Sequence, residues 1–378
     1  MSLDPSNFFN VLKKNEIEFF TGVPDSLLKD FCLCIDENIS SDKHIIAANE
    51  GNAIAIASGY HLANNSVPLV YMQNSGMGNA VNPILSLCDP DVYGIPLLMM
   101  IGWRGEPGVS DEPQHIKQGK VQEELLKAMG IDYEIISSID NQKDIEKKVI
   151  RLIEIAKANK IPVALLVKKG TFNKFTKDSP KKNKFTMKRE DALKIILDEI
   201  NQRDVIVSTT GKTSREIFEI RKIRKQSHKQ DFLTVGSMGH CSSISLGISL
   251  AKPAKKVYCI DGDGSMIMHL GSITTIASLK PKNLKYILLN NHVHESVGGQ
   301  ETAAKDVSLL NIVKSLEVFD IFKAENISDL KDQMKNLIET EKPSFLEVKI
   351  KPGSRDNLGR PTIKPSENKK SFMKFLAS

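Results

Sequence analysis

Short runs of β-branched and other apolar residues alternate along this chain with segments whose apolar positions recur every three or four residues. In the first half, the runs at 18–21, 45–47, 67–72, 96–101, 133–136 and 163–167 predict strands. The segments at 25–37, 51–63, 76–87, 121–129 and 143–158 predict helices, and a loop rich in Gly and Pro fills 102–119. In the second half, strands are predicted at 205–208, 256–260, 284–289 and 345–350, with a short extended piece starting at Leu233. Helices are predicted there at 192–200, 213–223, 242–250, 266–278, 309–316 and 329–339. Strands alternating with helices at this spacing indicate βαβ units and parallel sheets. The fold class is therefore α/β, with two doubly wound parallel-sheet domains at 1–168 and 189–378. Between them, 169–188 is basic, carries Pro180 and lacks periodicity, as expected of an interdomain linker.

Composition narrows the class. With 378 residues, 40% hydrophobic and 26% charged, the chain is globular rather than disordered or collagenous. Its net charge of +6 is unevenly placed: 168–189 carries nine basic residues and one acid, and 351–378 carries seven basic and two acidic. The remainder is mildly acidic, so the positive charge reads as two solvated segments and not as a nucleic-acid surface. The tail from Lys351 onward takes no predicted element. Cys32, Cys34, Cys88, Cys241 and Cys259 form no C-x-x-C pair and no disulfide framework, which suits a reducing compartment. The N-terminus lacks the apolar core of a signal peptide, and the longest apolar stretches fall far short of the roughly 20 residues that span a membrane. The expectation is a cytoplasmic protein with no membrane partner.

The chemistry centres on one interval. The strand at 256–260 runs into Asp261-Gly262-Asp263-Gly264-Ser265, and the next strand ends at Asn290-Asn291, with 25 residues (265–289) separating Gly264 from Asn290. Both polar groups lie at the carboxyl ends of strands, where open α/β sheets bind ligands. The glycines let backbone approach a phosphate, and the helix that follows offers its N-terminus to negative charge. Asp263 and Asn291 are hard oxygen ligands of the kind that hold Mg²⁺ together with phosphate oxygens. A lone G-D-G also suits an ordinary tight turn; the strand–helix–strand interval ending in Asn-Asn is sharper.

In these residues the chain resembles the thiamin diphosphate-dependent decarboxylases. The resemblance implies that the second half binds the diphosphate through Mg²⁺, with Asp263, Asn291 and the backbone carbonyl of Val293 as metal ligands. Gly262, Gly264 and Ser265 belong to the same cofactor-binding segment. The resemblance also requires a glutamate in the first half that hydrogen-bonds the pyrimidine ring of the cofactor. Glu50, in Asn49-Glu50-Gly51-Asn52-Ala53, has that context, although taken alone it also suits a helix first turn. Met238, before Gly239 and 25 residues ahead of Asp263, matches the bulky residue that bends the cofactor, or is a core methionine. The Gly236 carbonyl would accept the pyrimidine amine. Thr210 and Gly211 stand where family members cradle the diphosphate.

Three stretches look like a compact group, the phosphonopyruvate decarboxylases and their sulfopyruvate relatives. They are Thr21 to Leu28, Arg104 to Gly108 with Asp111 to His115, and Asn290 to Gln300. Sulfopyruvate enzymes are commonly split into two subunits, so a single chain favours phosphonopyruvate. His292 and Glu295 depart from the group's usual small residue and Asp, and the longer acid could alter the fit of the substrate. The resemblance implies a small 2-keto acid substrate. It further implies that Glu50 would promote loss of the thiazolium proton, that the bound cofactor would supply an electron sink for loss of CO₂, and that phosphonoacetaldehyde would be the product. In the family's pathway this irreversible step would pull an unfavourable one forward. Asp25 and His115, both expected on loops, are the candidate proton-transfer groups, although Asp25 also suits a helix N-cap. Arg104, and less directly His294, are the candidates for substrate binding. His44, His61, His228 and His269 read as structural or surface residues. The resemblance further implies a homodimer or higher homo-oligomer with active sites between subunits. A different 2-keto acid decarboxylase, a thiamin-dependent carboligase and a non-catalytic subunit remain open; retention of Glu50, Asp263 and Asn291 speaks against the last.

Overall fold

Each half of the chain forms a six-stranded sheet in which every strand pair is parallel. The computed structural model describes residues 2–176 and 184–378. They fall into two compact units, one built before residue 177 together with Ser296–Gln300, the other after residue 183. The first sheet contains β1 (Phe20–Gly22), β2 (His44–Ile46), β3 (Leu69–Gln73), β4 (Leu97–Gly102), β5 (Asp132–Ile136) and β6 (Pro162–Val167), in the order β2-β1-β3-β4-β6-β5. The second contains β7 (Val205–Ser208), β8 (Asp231–Leu233), β9 (Val257–Gly262), β10 (Leu284–Asn290), β11 (Asp320–Ala324) and β12 (Ser344–Lys349), in the order β8-β7-β9-β10-β12-β11. Renumbered from its own first strand, the second sheet has the order of the first. The halves thus share one topology without a visible residue repeat. In each sheet the strand order reverses between the first and third strands, which makes the carboxyl ends of β1 and β3, and of β7 and β9, the switch points where such sheets bind ligands.

The central strands are buried on both faces, as parallel sheets require. Because side chains alternate, Leu69 and Tyr71 of β3 pack with Phe8, Leu12 and Phe31 on one face. Val70 and Met72 pack with Ala53, Ile54 and Trp103 on the other. In the second unit Tyr258 and Ile260 of β9 meet Ile196 and Leu330. Val257 and Cys259 face Ile273, Ile276 and Phe372. All five cysteines are free and buried. Among the described residues no helix is long and apolar enough to cross a membrane.

Several elements differ from the expectations. Pro5–Lys14 is a helix that the apolar pattern did not single out; Asp4 caps it, accepting hydrogen bonds from the Ser6 and Asn7 amides. The helix expected at 25–37 is Lys29–Asn38 and has no side-chain cap, so Asp25 is not its N-cap. The segment expected to be one helix at 76–87 is a 3₁₀ turn, an α-helix over Met77–Pro83 and a π turn over Ile84–Cys88. Pro83, which lacks an N–H, precedes the widened turn. A helix begins at Pro113, a residue suited to a first helical position, so His115 lies in a first turn and not on the loop expected there. The helix expected at 266–278 divides into Asp263–Met268 and Ser272–Leu279. β11 was not predicted. The basic tail ends in a helix, Pro365–Ala377, which buries Phe372 and Phe375.

The expected linker is partly packed. Phe172 stacks on Phe31 in the first core, and the Phe175 amide donates to Asp30. Met187 belongs to the second core, and Lys188 pairs with Lys351. The middle of the linker, 177–183, lies outside the described residues.

Candidate active site

In the first unit, the segments following β1, β2 and β4 carry the predicted residues. Glu50 opens the helix Glu50–Asn64 behind Asn49, whose side chain accepts from the Asn52 amide at 2.9 Å. Glu50 itself is 5% exposed. Its Oε2 accepts from Asn79 Nδ2 at 2.7 Å. A Cβ at Gly76 would collide with the Glu50 carboxylate, so this glycine makes room for it.

Asp25 is fully buried just beyond β1. It accepts from Gln73 Nε2 at 2.5 Å and from the Leu27 amide at 2.8 Å. Burial raises its pKa against the pull of those donors and of Arg104. The carboxylate therefore faces the polar end of β3 and serves no helix. Arg104, after β4, donates through Nε to Asp111 at 2.7 Å and through Nη1 to Ser26 at 2.9 Å; its Nη2 also pairs with Asp111. Three of the five guanidinium hydrogens are thus used, leaving two for another acceptor. His115 is buried, and its Nδ1 has no hydrogen-bond partner. Burial, then the nearby Arg104 charge, lowers its pKa, so the ring is neutral at neutral pH. Asp25, Arg104 and His115 thus form one electrostatically linked cluster.

In the second unit, the loops after β7, β8, β9 and β10 converge. The Thr209 hydroxyl donates to Ser265 Oγ at 2.9 Å, and the same oxygen accepts the Gly239 amide at 3.1 Å. Thr210 accepts from the Gly236 amide at 3.1 Å. Gly211 and Gly236 have φ of 96° and 70°, backbone that other residues adopt only with strain. Met238 is half-buried and is not among the described core residues of its unit.

Asp263 starts the helix after β9, is 3% exposed, and accepts from the Thr302 hydroxyl. Burial pushes its pKa up to about 6, although Thr302 and the amides of Gly264 and Asn291 oppose the shift. The Asn291 amide therefore brings the two predicted ligands together. Asn291 Oδ1 accepts from the Val293 amide at 3.0 Å, and Nδ2 donates to Glu295 at 2.9 Å. The Asp263 carboxylate, Asn291 amide oxygen and Val293 carbonyl make an all-oxygen set, which fits a hard divalent cation. A buried carboxylate with a raised pKa gains from a cation beside it. No side chain caps the helix at Gly262, and a Cβ there would meet nothing within 4 Å, so its first turn is open to an anion.

Glu295, the longer acid noted in the sequence, is held by two cations. Arg189 donates to it at 2.7 Å and Lys212 at 2.8 Å. Burial works to raise its pKa, but these two cations outweigh burial and hold it below the ordinary value. His294 packs against Gly264, and desolvation lowers its pKa to about 4. Cys241, Cys259 and Asp261 also come together beneath this loop. They are buried and mutually satisfied, with Cys259 donating to Cys241 at 3.5 Å and Tyr286 to Asp261 at 2.8 Å.

Residues 209–348 match the C-terminal TPP binding domain of thiamine pyrophosphate enzymes, and residues 6–131 match the N-terminal TPP binding domain. Over 374 residues the chain is 31% identical to the phosphonopyruvate decarboxylase of Streptomyces viridochromogenes, covering 94% of this chain and 91% of that protein. This chain belongs to the thiamine pyrophosphate enzyme family. A phosphonopyruvate decarboxylase of Streptomyces hygroscopicus is also 31% identical, covering 94% of this chain and 89% of that protein. The sulfopyruvate decarboxylase of Methanosarcina acetivorans is 26% identical, covering 97% and 96%. That protein aligns along nearly its whole length as one chain, so a single chain does not by itself separate phosphonopyruvate from sulfopyruvate enzymes.

The N-terminal TPP-binding match takes in Asp25, Glu50, Arg104 and His115; the C-terminal match takes in every predicted cofactor and metal residue from Thr210 to Val293. The sequence reading missed Gln73, Asn79, Thr209, Thr302 and the Arg189–Lys212 pair. Gln73-Asn74-Ser75-Gly76 is a polar run at a strand end and could have been singled out. Thr302 and Arg189 carry no local signal, because their partners are distant in sequence.

Proposed function

We propose that this thiamine pyrophosphate enzyme is a phosphonopyruvate decarboxylase, converting 3-phosphonopyruvate to phosphonoacetaldehyde and CO₂ with thiamin diphosphate and Mg²⁺. The observation that carries the reading is the 31% identity over 94% of the chain to a protein of that name, combined with Glu50, Asp263 and Asn291 in the geometry described above. Asp263, Asn291 and the Val293 carbonyl would hold the cation. Thr210, Gly211, Gly236, Gly262, Gly264 and Ser265 would receive the diphosphate end, and Met238 would support the cofactor's bend. When bound, thiamin diphosphate supplies an electron sink for the bond to the departing carboxylate.

The chain's own residues do the rest. Glu50, steadied by Asn79, holds a proton at the pyrimidine ring nitrogen. Gly76 keeps that carboxylate unobstructed. Asp25, with its raised pKa, and His115, neutral with a free Nδ1, are suited to deliver and take up protons at the substrate carbonyl oxygen and carbon. Arg104 offers its two remaining N–H groups to a substrate oxyanion, with Asp111 and Ser26 fixing its plane. His294, neutral beside Gly264, lines the substrate space without adding charge.

A sulfopyruvate reading is the nearest alternative, favoured by the full-length match to the archaeal enzyme. Initial rates of CO₂ release from phosphonopyruvate, sulfopyruvate and pyruvate, measured side by side, decide between them. The highest kcat/KM is expected with phosphonopyruvate; a higher value with either other acid would overturn the assignment.

The active unit in this reading is a homo-oligomer, at minimum a homodimer, located in the cytoplasm, where five unpaired cysteines stay reduced. In the family resemblance, Glu50 of one subunit and Asp263 of another act on one cofactor. Mixed Glu50→Gln and Asp263→Ala chains should then regain activity on subunit exchange. No recovery despite demonstrated exchange would rule out sharing.

A further inference from the structure

Glu295 sits at the junction of two systems. One is the loop that carries Asn291 and Val293; the other is a buried ionic network anchored elsewhere in the second unit. Its Oε2 accepts from both Arg189 Nη1 at 2.7 Å and Asn291 Nδ2 at 2.9 Å, and its Oε1 accepts from Lys212 at 2.8 Å. Arg189 is in turn fixed by Glu216, which accepts from Nε and Nη2 at 2.9 Å each. Arg189 is 5% exposed and Glu216 1%. This is an expensive arrangement to bury, and it converges on a single amide.

We propose that Glu295 is a positioning residue that fixes which end of the Asn291 amide is available to a divalent cation. The proposal rests on the cofactor reading above and deepens it. An asparagine amide is nearly symmetric in shape, so packing alone cannot choose between its oxygen and its nitrogen. Here the surroundings choose. The nitrogen faces a carboxylate and the oxygen faces the Val293 N–H. Turned over, the oxygen would meet the Glu295 carboxylate and the nitrogen would meet another N–H, two repulsions in place of two hydrogen bonds. The observed orientation leaves a lone pair of Oδ1 for a cation. Arg189 and Lys212 hold the carboxylate in place, so orientation of Asn291 is set before any cation arrives. Partners that orient metal ligands in this way typically change affinity about 10- to 100-fold when removed. The position also explains why a glutamate is suited here: its length spans from the loop backbone to both cations and back to Asn291.

The test is Mn²⁺ binding, followed by electron paramagnetic resonance, to the full chain stripped of metal and supplied with thiamin diphosphate. Glu295→Gln keeps the shape but exposes Arg189 and Lys212 to an N–H₂ group, and Glu295→Asp keeps the charge but loses the reach. Each is expected to weaken Mn²⁺ binding, Glu295→Gln by about 10- to 100-fold. The variant that folds decides if the other does not. Unchanged Mn²⁺ affinity, with only a lower melting temperature of the metal-free chain, would overturn the proposal and leave Glu295 a structural ion-pair partner. Absence of Mn²⁺ binding by the unsubstituted chain would instead overturn the cofactor reading, and this proposal with it.

Discussion

Asn79 donates a 2.7 Å hydrogen bond to Glu50, and the other face of that carboxylate is bounded by Gly76, where no Cβ fits. The carboxylate is therefore held from one side and given space on another, which is unlike a helix first-turn acid lying in solvent. Glu50→Gln should leave cofactor binding largely intact and lower turnover by about 10²-fold or more. Gly76→Ala should lower kcat as well, with little change in melting temperature. Near-normal turnover in both variants, measured by CO₂ release, would return Glu50 to a capping role.

His115 is neutral at neutral pH because burial and Arg104 disfavour its protonated form. Its pKa lies below the ordinary imidazole range, so activity that depends on the neutral ring should persist as pH falls through roughly 6.5 and decline only below it. Replacing Asp111 with Asn weakens the neutralisation of Arg104, which should move that acidic limb to still lower pH. His115→Ala should cost about 10²-fold in kcat. A pH–rate profile for the native chain and the Asp111→Asn variant checks both statements.

Asp263 has a pKa raised to about 6 by burial. A carboxyl with a raised folded-state pKa stabilises the fold fully below its unfolded value near 3.8, and that contribution is lost as pH rises through about 6. At pH 7.5 the metal-free chain therefore carries a costly buried charge. Asp263→Asn should raise the melting temperature of the metal-free chain at that pH, and the gain should vanish near pH 4. The same variant should lose the rise in melting temperature that Mg²⁺ with thiamin diphosphate gives the native chain. Thermal scans at the two pH values, with and without these ligands, test it.

The C-terminal helix is part of the second core. Phe372 is 4% exposed and packs in the cluster that also holds Val257 and Cys259 of β9. Phe372→Ala should destabilise the chain by about 3–5 kcal/mol, and ending the chain before Pro365 by at least as much. Urea unfolding measures this; an unchanged midpoint would show that the helix does not contribute.

How much was readable from sequence depended on the range of the interactions. Asp263 and Asn291 could be singled out from sequence because each directly follows a strand, and Glu50 because it opens a helix shortly after β2; strand ends in parallel sheets are where ligands bind. Short apolar and β-branched runs also located eleven of the twelve strands among the described residues. β11 escaped because its residues are only partly buried and carry no strong apolar run. The tail helix was hidden behind its basic charge, although Pro365, Phe372 and Phe375 marked its start and inner face. His115 was placed on a loop because the glycines and prolines of 102–119 mask the helix start at Pro113. The role of Glu295 was not legible at all: its anchor, Arg189, lies 106 residues away. The residue pattern could show that the acid was longer than usual, but only the fold shows what the extra length reaches.

The most direct test of the central claim is reconstitution. The chain is stripped of cofactor and metal, then given 3-phosphonopyruvate with thiamin diphosphate, with Mg²⁺, with both, or with neither, while CO₂ and phosphonoacetaldehyde are quantified together. The account predicts turnover only with both, yielding one CO₂ and one phosphonoacetaldehyde per substrate consumed. CO₂ release by the stripped, chelated chain, or no phosphonoacetaldehyde from the fully reconstituted one, would contradict it.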